Sequence, residues 1–223
     1  MPGWALSHGW FWIGIFALGC YHGINPGMGW LFAVALGLQE KSRRTVFQSL
    51  PPITLGHLAS VFSIVALAAI GRQELSQSTM RYASAVFLVG FGLYRGIRAR
   101  HPRWVGMRVG FWGLALWAFI MSTGHGAGLM LLPFLLGSCA GANVHHMGMG
   151  MGASAQLPFD IWILAVALHT VGYLLTMIVV AYSVYEKFGV RILKAGWFNF
   201  DLVWALALVV SGIFLAFRVT GFP

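Results

Sequence analysis

The sequence predicts an all-α integral membrane protein with six transmembrane helices. Hydrophobic residues make up 59% of the 223-residue chain and charged residues 9%, and the mean hydropathy is +0.79. A soluble domain has about a quarter charged residues. Because the basic residues fall between apolar stretches, the net charge of +9 is explained by orientation in a membrane. We therefore expect one membrane domain, 1–223, with membrane lipid as a partner and no nucleic acid.

Six stretches approach the roughly 20 apolar residues that cross a bilayer. The predicted spans are 10–38, 51–71, 82–97, 109–137, 157–184 and 197–218. The first and fourth are long and contain Gly and Pro, so we expect both of these helices to be broken. Six tryptophans are predicted to be interfacial anchors: Trp10, Trp12, Trp30, Trp104, Trp112 and Trp197.

The loops predict the topology. Alternate loops place eleven Lys and Arg residues on one side and three on the other. Basic loops stay inside, so we expect both termini outside, in a bacterial inner membrane. Residues 1–9 contain no Lys or Arg, so we expect no cleavable signal peptide.

Short motifs recur in the two halves of the chain. The pairs are His22-Gly23 with His125-Gly126, Leu55-Gly56-His57 with Ala167-Leu168-His169, and Leu50-Pro51 with Leu157-Pro158. Each half, 1–105 and 106–223, contains three predicted spans, so the halves enter the membrane in opposite directions. This predicts two inverted three-helix repeats, the plan of secondary transporters whose sites lie on interrupted helices.

Four of the predicted spans carry one histidine each: His22, His57, His125 and His169. Imidazole binds transition metals and carries protons, and an ionisable group at membrane depth indicates a functional site. The alternative is that each histidine bonds to a neighbouring helix for rigidity. Because Pro26 cannot donate to the His22 carbonyl, we expect that freed carbonyl and Asn25 to line the break.

A second group lies on the predicted outer loop between spans four and five. Its members are His145, His146, Met147, Met149 and Met151. Thioether and imidazole ligands suit copper, so the loop is predicted to collect a metal ion. The alternative is a Met-rich linker or a surface for a partner protein.

Acidic and thiol groups are few. Asp160 and Asp201 stand near the starts of spans, where the helix dipole favours an acid, although an entry path is an alternative. Cys20 and Cys139 form no CxxC motif. Cys20 is interpreted as a packing residue or a metal ligand.

Two motifs resemble a known family. Asn25-Pro26 after His22, and Gly56-His57-Leu58-Ala59-Ser60-Val61, are similar to segments of the nickel/cobalt permeases of the lysine-exporter superfamily. The resemblance implies that His22, Asn25 and His57 bind a metal. The permease signature His-x4-Asp-His is not present here. The three-plus-three plan also resembles membrane thiol–disulfide electron carriers, which need a reactive cysteine in each repeat.

These features predict a transporter and not an enzyme. The expected cargo is a transition-metal cation, copper or nickel/cobalt, carried through an intramembrane histidine site. The first alternative is a non-transporting accessory or metal-delivery subunit of a larger membrane complex. The second is a thiol–disulfide electron carrier.

Overall fold

The computed structural model describes residues 9–97, 110–137, 158–187 and 200–219, and the regular structure in these ranges is entirely helical. Its α-helices are α1 Gly9–Ile24, α2 Trp30–Gln39, α3 Arg43–Glu74, α4 Gln77–Ile97, α5 Phe111–His125, α6 Leu132–Gly137, α7 Phe159–Lys187 and α8 Phe200–Val219. Short 3-10 helices at Pro26–Met28 and Leu129–Leu131 follow α1 and α5. The all-α prediction is confirmed for these residues.

Among the described residues, two helices are long and apolar enough to cross a membrane: α3, over Arg43–Gly71, and α7. A third span results if α5 and the segment Leu129–Leu136 count as one interrupted helix. Large apolar side chains point outward on several helices; Leu67 is 69% exposed and Val179 63%. This surface is typical of contact with lipid. The six-span arrangement and the inverted repeat stay predictions.

The start of α3 differs from the prediction. The sequence placed it near Pro51, whereas the helix begins at Arg43 and contains Pro51 and Pro52 in its interior. Ser42 explains the earlier start, because its Oγ accepts a hydrogen bond from the Thr45 amide at 3.3 Å, as an N-cap does.

The chain divides into two compact units. Unit 1 comprises Met1–Phe62, Arg100–Ala127 and Ala165–Phe200, and unit 2 comprises Ser63–Ala99, Gly128–Leu164 and Asp201–Pro223. Each unit therefore takes segments from both halves of the sequence. Unit 1 contains α1, α2, α5, the first part of α3 and most of α7.

Helices α4 and α8 of unit 2 pack through glycines. A Cβ added at Gly92 would stand 2.9 Å from the Ala205 carbonyl oxygen, and one at Gly212 would stand 2.9 Å from that of Ala85. Arg81 is buried within α4 and its Nε donates to the Leu136 carbonyl at 2.9 Å. Arg81 thus bonds to the end of α6.

Candidate functional site

Three of the predicted histidines meet inside unit 1. His22 of α1, His57 of α3 and His169 of α7 are each 0% exposed. Their ring centroids are 5.8 Å apart for His22–His57, 4.8 Å for His22–His169 and 5.6 Å for His57–His169. We call these three residues the histidine triad. Its members come from different helices, so the fold and not the local sequence brings them together.

Glycines bring α1 against α7. A Cβ at Gly19 would collide with the His169 carbonyl oxygen, and one at Gly23 would stand 2.6 Å from the Tyr173 carbonyl oxygen. On the opposite side of the contact, a Cβ at Gly172 would stand 2.5 Å from the Phe16 carbonyl oxygen. Small residues spaced in this way let two backbones approach closely. The approach places His22 beside His169.

A second glycine brings α3 against α5. A Cβ at Gly56 would collide with the Ala115 carbonyl oxygen and would stand 2.8 Å from the Phe119 amide nitrogen. Ser60 Oγ and Thr123 Oγ1 share a hydrogen bond of 2.8 Å across the same contact. This packing sets His57, the residue after Gly56, beside Ser122.

Hydrogen bonds orient two of the triad rings. His22 Nδ1 donates to the Leu18 carbonyl at 2.8 Å, which leaves the lone pair of the neutral ring on Nε2. His57 Nδ1 lies 3.1 Å from Ser122 Oγ, and Ser122 donates to Met28 Sδ at 4.0 Å. In this series of two hydrogen bonds, Ser122 Oγ accepts the hydrogen of His57 Nδ1, so the lone pair of the neutral His57 ring is also on Nε2. A hydrogen bond from the ring nitrogen that does not bind the metal is typical of metal-binding histidines.

Three ring nitrogens of the triad have no hydrogen-bond partner in the described part of the chain. They are His57 Nε2, His169 Nδ1 and His169 Nε2, and all are buried. Leaving a buried polar atom unsatisfied costs about 1–3 kcal/mol. Such atoms call for an explanation, and a bound ligand is one.

Two further residues complete the site and were not predicted. The Tyr173 ring stacks on the His57 ring with centroids 3.8 Å apart, and its hydroxyl donates to the Met28 carbonyl. Met28 is 1% exposed. Tyr173 lies four residues after His169, on the same face of α7. That spacing, and the position of Met28 at the predicted break, are the signals that the sequence offered.

His125 and Asn25 lie beside the first break. A Cβ at Gly27 would stand 3.2 Å from His125 Nε2 and 3.3 Å from Asn25 Oδ1. His125 is also close enough to His22 for an electrostatic interaction. Asn25 is 5% exposed; its Oδ1 accepts from the Gly27 amide at 2.9 Å, and its Nδ2 has no hydrogen-bond partner within the described ranges. Both residues thus border the triad.

Two predictions about the break are wrong. The His22 carbonyl is not freed, because it accepts a hydrogen bond from the Asn25 amide at 3.2 Å, which replaces the bond that Pro26 cannot make. Trp30 is not an interfacial anchor, because it is 6% exposed and its Nε1 donates to the Ile24 carbonyl at 2.9 Å. Its indole instead satisfies a carbonyl at the end of α1.

Other predicted residues lie away from the triad or outside the described part of the chain. The predicted loop ligands His145, His146, Met147, Met149 and Met151 are outside it, as is Cys139. Cys20 is a half-buried free thiol. Asp160 lies in the first turn of α7, where the helix dipole favours it. The side chain of Asp201 is not described.

A cavity of 930 Å³ lies elsewhere in unit 1. Its wall includes polar groups of α3 and the end of α2: Gln39, Glu40, Thr45, Gln48 and Ser49. Leu36, Pro52 and Leu114 also line it. Three helices line this cavity. Helix α2 begins at the first break, α3 carries His57 of the triad, and α5 carries Ser122, which bonds to His57.

No group of three or more His, Cys, Asp or Glu side chains is arranged to hold a metal ion in the described ranges. The triad rings are adjacent, but binding a common ion would require them to rotate. The site consists of three buried imidazole rings whose nitrogens could bind a metal, and it lies in an apolar interior.

Comparisons of the chain with protein-family models, with curated proteins and with solved structures gave no match. The class of this protein therefore follows from its own composition and fold. The part of the chain that the structure describes is helical, with two to three helices able to cross a membrane and with three histidines in mutual contact in one unit.

Proposed function

We propose that this protein transports a transition-metal cation across a membrane and that the histidine triad is its intramembrane site. One observation carries the proposal: His57 and His169 are fully buried and present three ring nitrogens without hydrogen-bond partners in the described structure. Neutral imidazole is the commonest side-chain ligand of transition metals. A bound cation would satisfy His57 Nε2 and one of the two His169 nitrogens after the rings rotate, because the other nitrogen of a neutral His169 ring carries a proton.

The cavity supports a path to this site. Pro52 lines the cavity and His57 lies five residues further along α3, which is about 7.5 Å at 1.5 Å per residue. Leu114 lines it and Ser122 lies eight residues further along α5, about 12 Å. We propose that the cavity is the inner vestibule. The outer loop with His145, His146 and the three methionines would collect the ion.

We further propose six spans in two inverted three-helix repeats, with both termini outside a bacterial inner membrane. Two observations support this plan. His22 and His125 each donate from Nδ1 to the carbonyl four residues earlier at 2.8 Å. In the proposed repeat, α1 corresponds to α5 and α7 corresponds to α3. The contact of α1 with α7 therefore corresponds to the contact of α5 with α3, and both contacts pack through glycines. Rocking of one repeat against the other would alternate access.

The test is metal flux into liposomes that contain the purified full-length protein. Cu(I), Ni(II), Co(II) and Zn(II) would be compared in separate assays. We expect one of them to accumulate, and His169→Ala to reduce its flux to the level of empty liposomes. Thr170→Val is the matched control, because Thr170 is buried next to His169 and its hydroxyl donates only to the Val166 carbonyl in its own helix. No flux of any metal with the unaltered protein contradicts transport.

A second candidate is an accessory subunit that holds or delivers metal without transporting it. The placement of the acids favours it, because many cation-coupled carriers use a membrane acid. Every Asp and Glu of the chain lies at or beyond a helix end: Glu40, Glu74, Asp160, Glu186 and Asp201. Metal bound by the triad without flux would support this candidate.

A further inference from the structure

We infer that the site selects a monovalent soft cation of the Cu(I) class over divalent nickel, cobalt or zinc. This inference rests on the proposed function and deepens it by naming the class of cargo. It follows from the charge of the donors around the triad and from the Met28 thioether, which the structure places beside Ser122.

The donors around the triad are uncharged. They comprise the three imidazoles, the hydroxyls of Ser122 and Tyr173, and the side chain of Met28. No carboxylate is available in the middle of a described helix, since the five acids lie at or beyond helix ends. The charge of a complex formed here is therefore the charge of the metal itself.

This neutrality discriminates between cations by charge. Moving a singly charged ion from water into a medium of low dielectric constant costs on the order of 20 kcal/mol in the Born limit, and the cost rises with the square of the charge. A divalent ion therefore loses about four times as much solvation as a monovalent ion of similar size. Neutral ligands offset this loss best for a single charge.

Met28 adds selectivity for a soft metal. Thioether sulfur favours Cu(I), whereas nickel, cobalt and zinc do not require it. The Met28 side chain is buried and its Sδ is linked through Ser122 to His57. Its backbone is fixed by Tyr173, which stacks on the same histidine. The Met28 sulfur lies on the Nδ1 side of His57, so it would join the nitrogen ligands of a bound metal after the rings rotate.

The test uses equilibrium binding of Ag(I), a redox-inert analogue of Cu(I), to the full-length protein. Both cysteines and the five predicted loop ligands are first removed in a background that we call the silenced variant. It carries Cys20→Ser, Cys139→Ser, His145→Ala, His146→Ala, Met147→Leu, Met149→Leu and Met151→Leu. Ag(I), Ni(II), Co(II) and Zn(II) are titrated separately into this variant and into versions that also carry His57→Ala, His169→Ala or Met28→Leu.

We expect one equivalent of Ag(I), bound at least about 100-fold more tightly than any divalent ion. The alanine variants should lose it, and Met28→Leu, which nearly conserves volume, should weaken it about tenfold. If a divalent ion binds as tightly as Ag(I) and is lost with His169, the inference is overturned but the proposed function stands. If no metal binds, or if the alanine variants bind Ag(I) unchanged while remaining folded by circular dichroism, both fail.

Discussion

The two interrupted helices solve the same structural problem with different residues. In each, a histidine near the helix end donates from Nδ1 to the carbonyl four residues earlier, and a 3-10 helix begins four residues after that histidine. The first break is made by Pro26, with Asn25 capping the Gly27 amide. The second is made by Gly126, whose left-handed conformation (φ 72°) ends α5.

The difference affects which polar groups remain at each break. At Gly126 the amides of residues 126 and 127 bond to the Thr123 and Ser122 carbonyls, as in a Schellman motif, and backbone alone closes the helix. At Pro26 the closure requires Asn25 and the Trp30 indole. The proline break therefore keeps a buried amide next to the metal-candidate histidines. We infer that the first break, rather than the second, is adapted to the proposed metal site.

Removing a triad imidazole gives the largest expected effect. His57→Ala or His169→Ala should lower metal flux by about 100-fold or more, since removing a group that only hydrogen-bonds to a metal ligand already costs about 10–100-fold in metal affinity. The measurement is initial flux into liposomes at equal protein incorporation. Thr170→Val should retain flux within about twofold. Equal losses in all three variants would show that the triad has no special role.

The glycine contacts give the next largest effect. Gly56→Ala should destabilise the protein by about 1–3 kcal/mol, because its Cβ would collide with the α5 backbone. The midpoint of thermal unfolding in detergent measures this change. Gly124→Ala is the control, since a Cβ there meets no atom within 4 Å. A Gly56→Ala protein as stable as the control would contradict the close approach of α3 and α5.

The two breaks can be compared directly through their histidines. His22→Ala should abolish binding, because His22 contacts both other triad rings. His125→Ala should lower metal affinity about tenfold, which is typical of losing a residue that supports the metal ligands, because His125 borders Gly27. Titration of the silenced variant with Ag(I) measures both. A larger loss of Ag(I) affinity for His125→Ala than for His22→Ala would show that the second break, and not the first, contributes more to metal binding.

The smallest effect is expected at the surface of unit 1. Arg43 and Glu186 form an ion pair with Nε and Oε1 2.6 Å apart, and the arginine side chain is 65% exposed. Exposed pairs contribute about 0–1 kcal/mol. Arg43→Gln should therefore leave thermal stability and flux almost unchanged. A loss of flux with unchanged stability would instead give this pair a functional role.

The sequence predicted much of the secondary structure and the identity of the triad residues. Long apolar stretches predict helices directly, and a histidine within such a stretch is unusual enough to stand out. The sequence could not predict which histidines meet, since this depends on backbone contacts at Gly19 and Gly56 between helices distant along the chain. It also missed Met28 and Tyr173, whose residue types are common in apolar cores.

The wrong predictions have a common physical cause. A proline removes one helical hydrogen bond, and the sequence suggested that the His22 carbonyl would remain free. The Asn25 amide bonds to it instead, and Trp30 turns inward to satisfy the neighbouring Ile24 carbonyl. Buried backbone groups nearly always find partners. Which side chain or amide supplies the partner is decided by three-dimensional proximity.

The most direct test of the central claim is X-ray absorption spectroscopy of the silenced variant loaded with one equivalent of Cu(I). We predict imidazole nitrogen scatterers at about 2.0 Å, which are lost in His169→Ala together with the bound copper. A spectrum that shows only sulfur or oxygen neighbours, and that is unchanged by His169→Ala, would contradict metal binding by the triad.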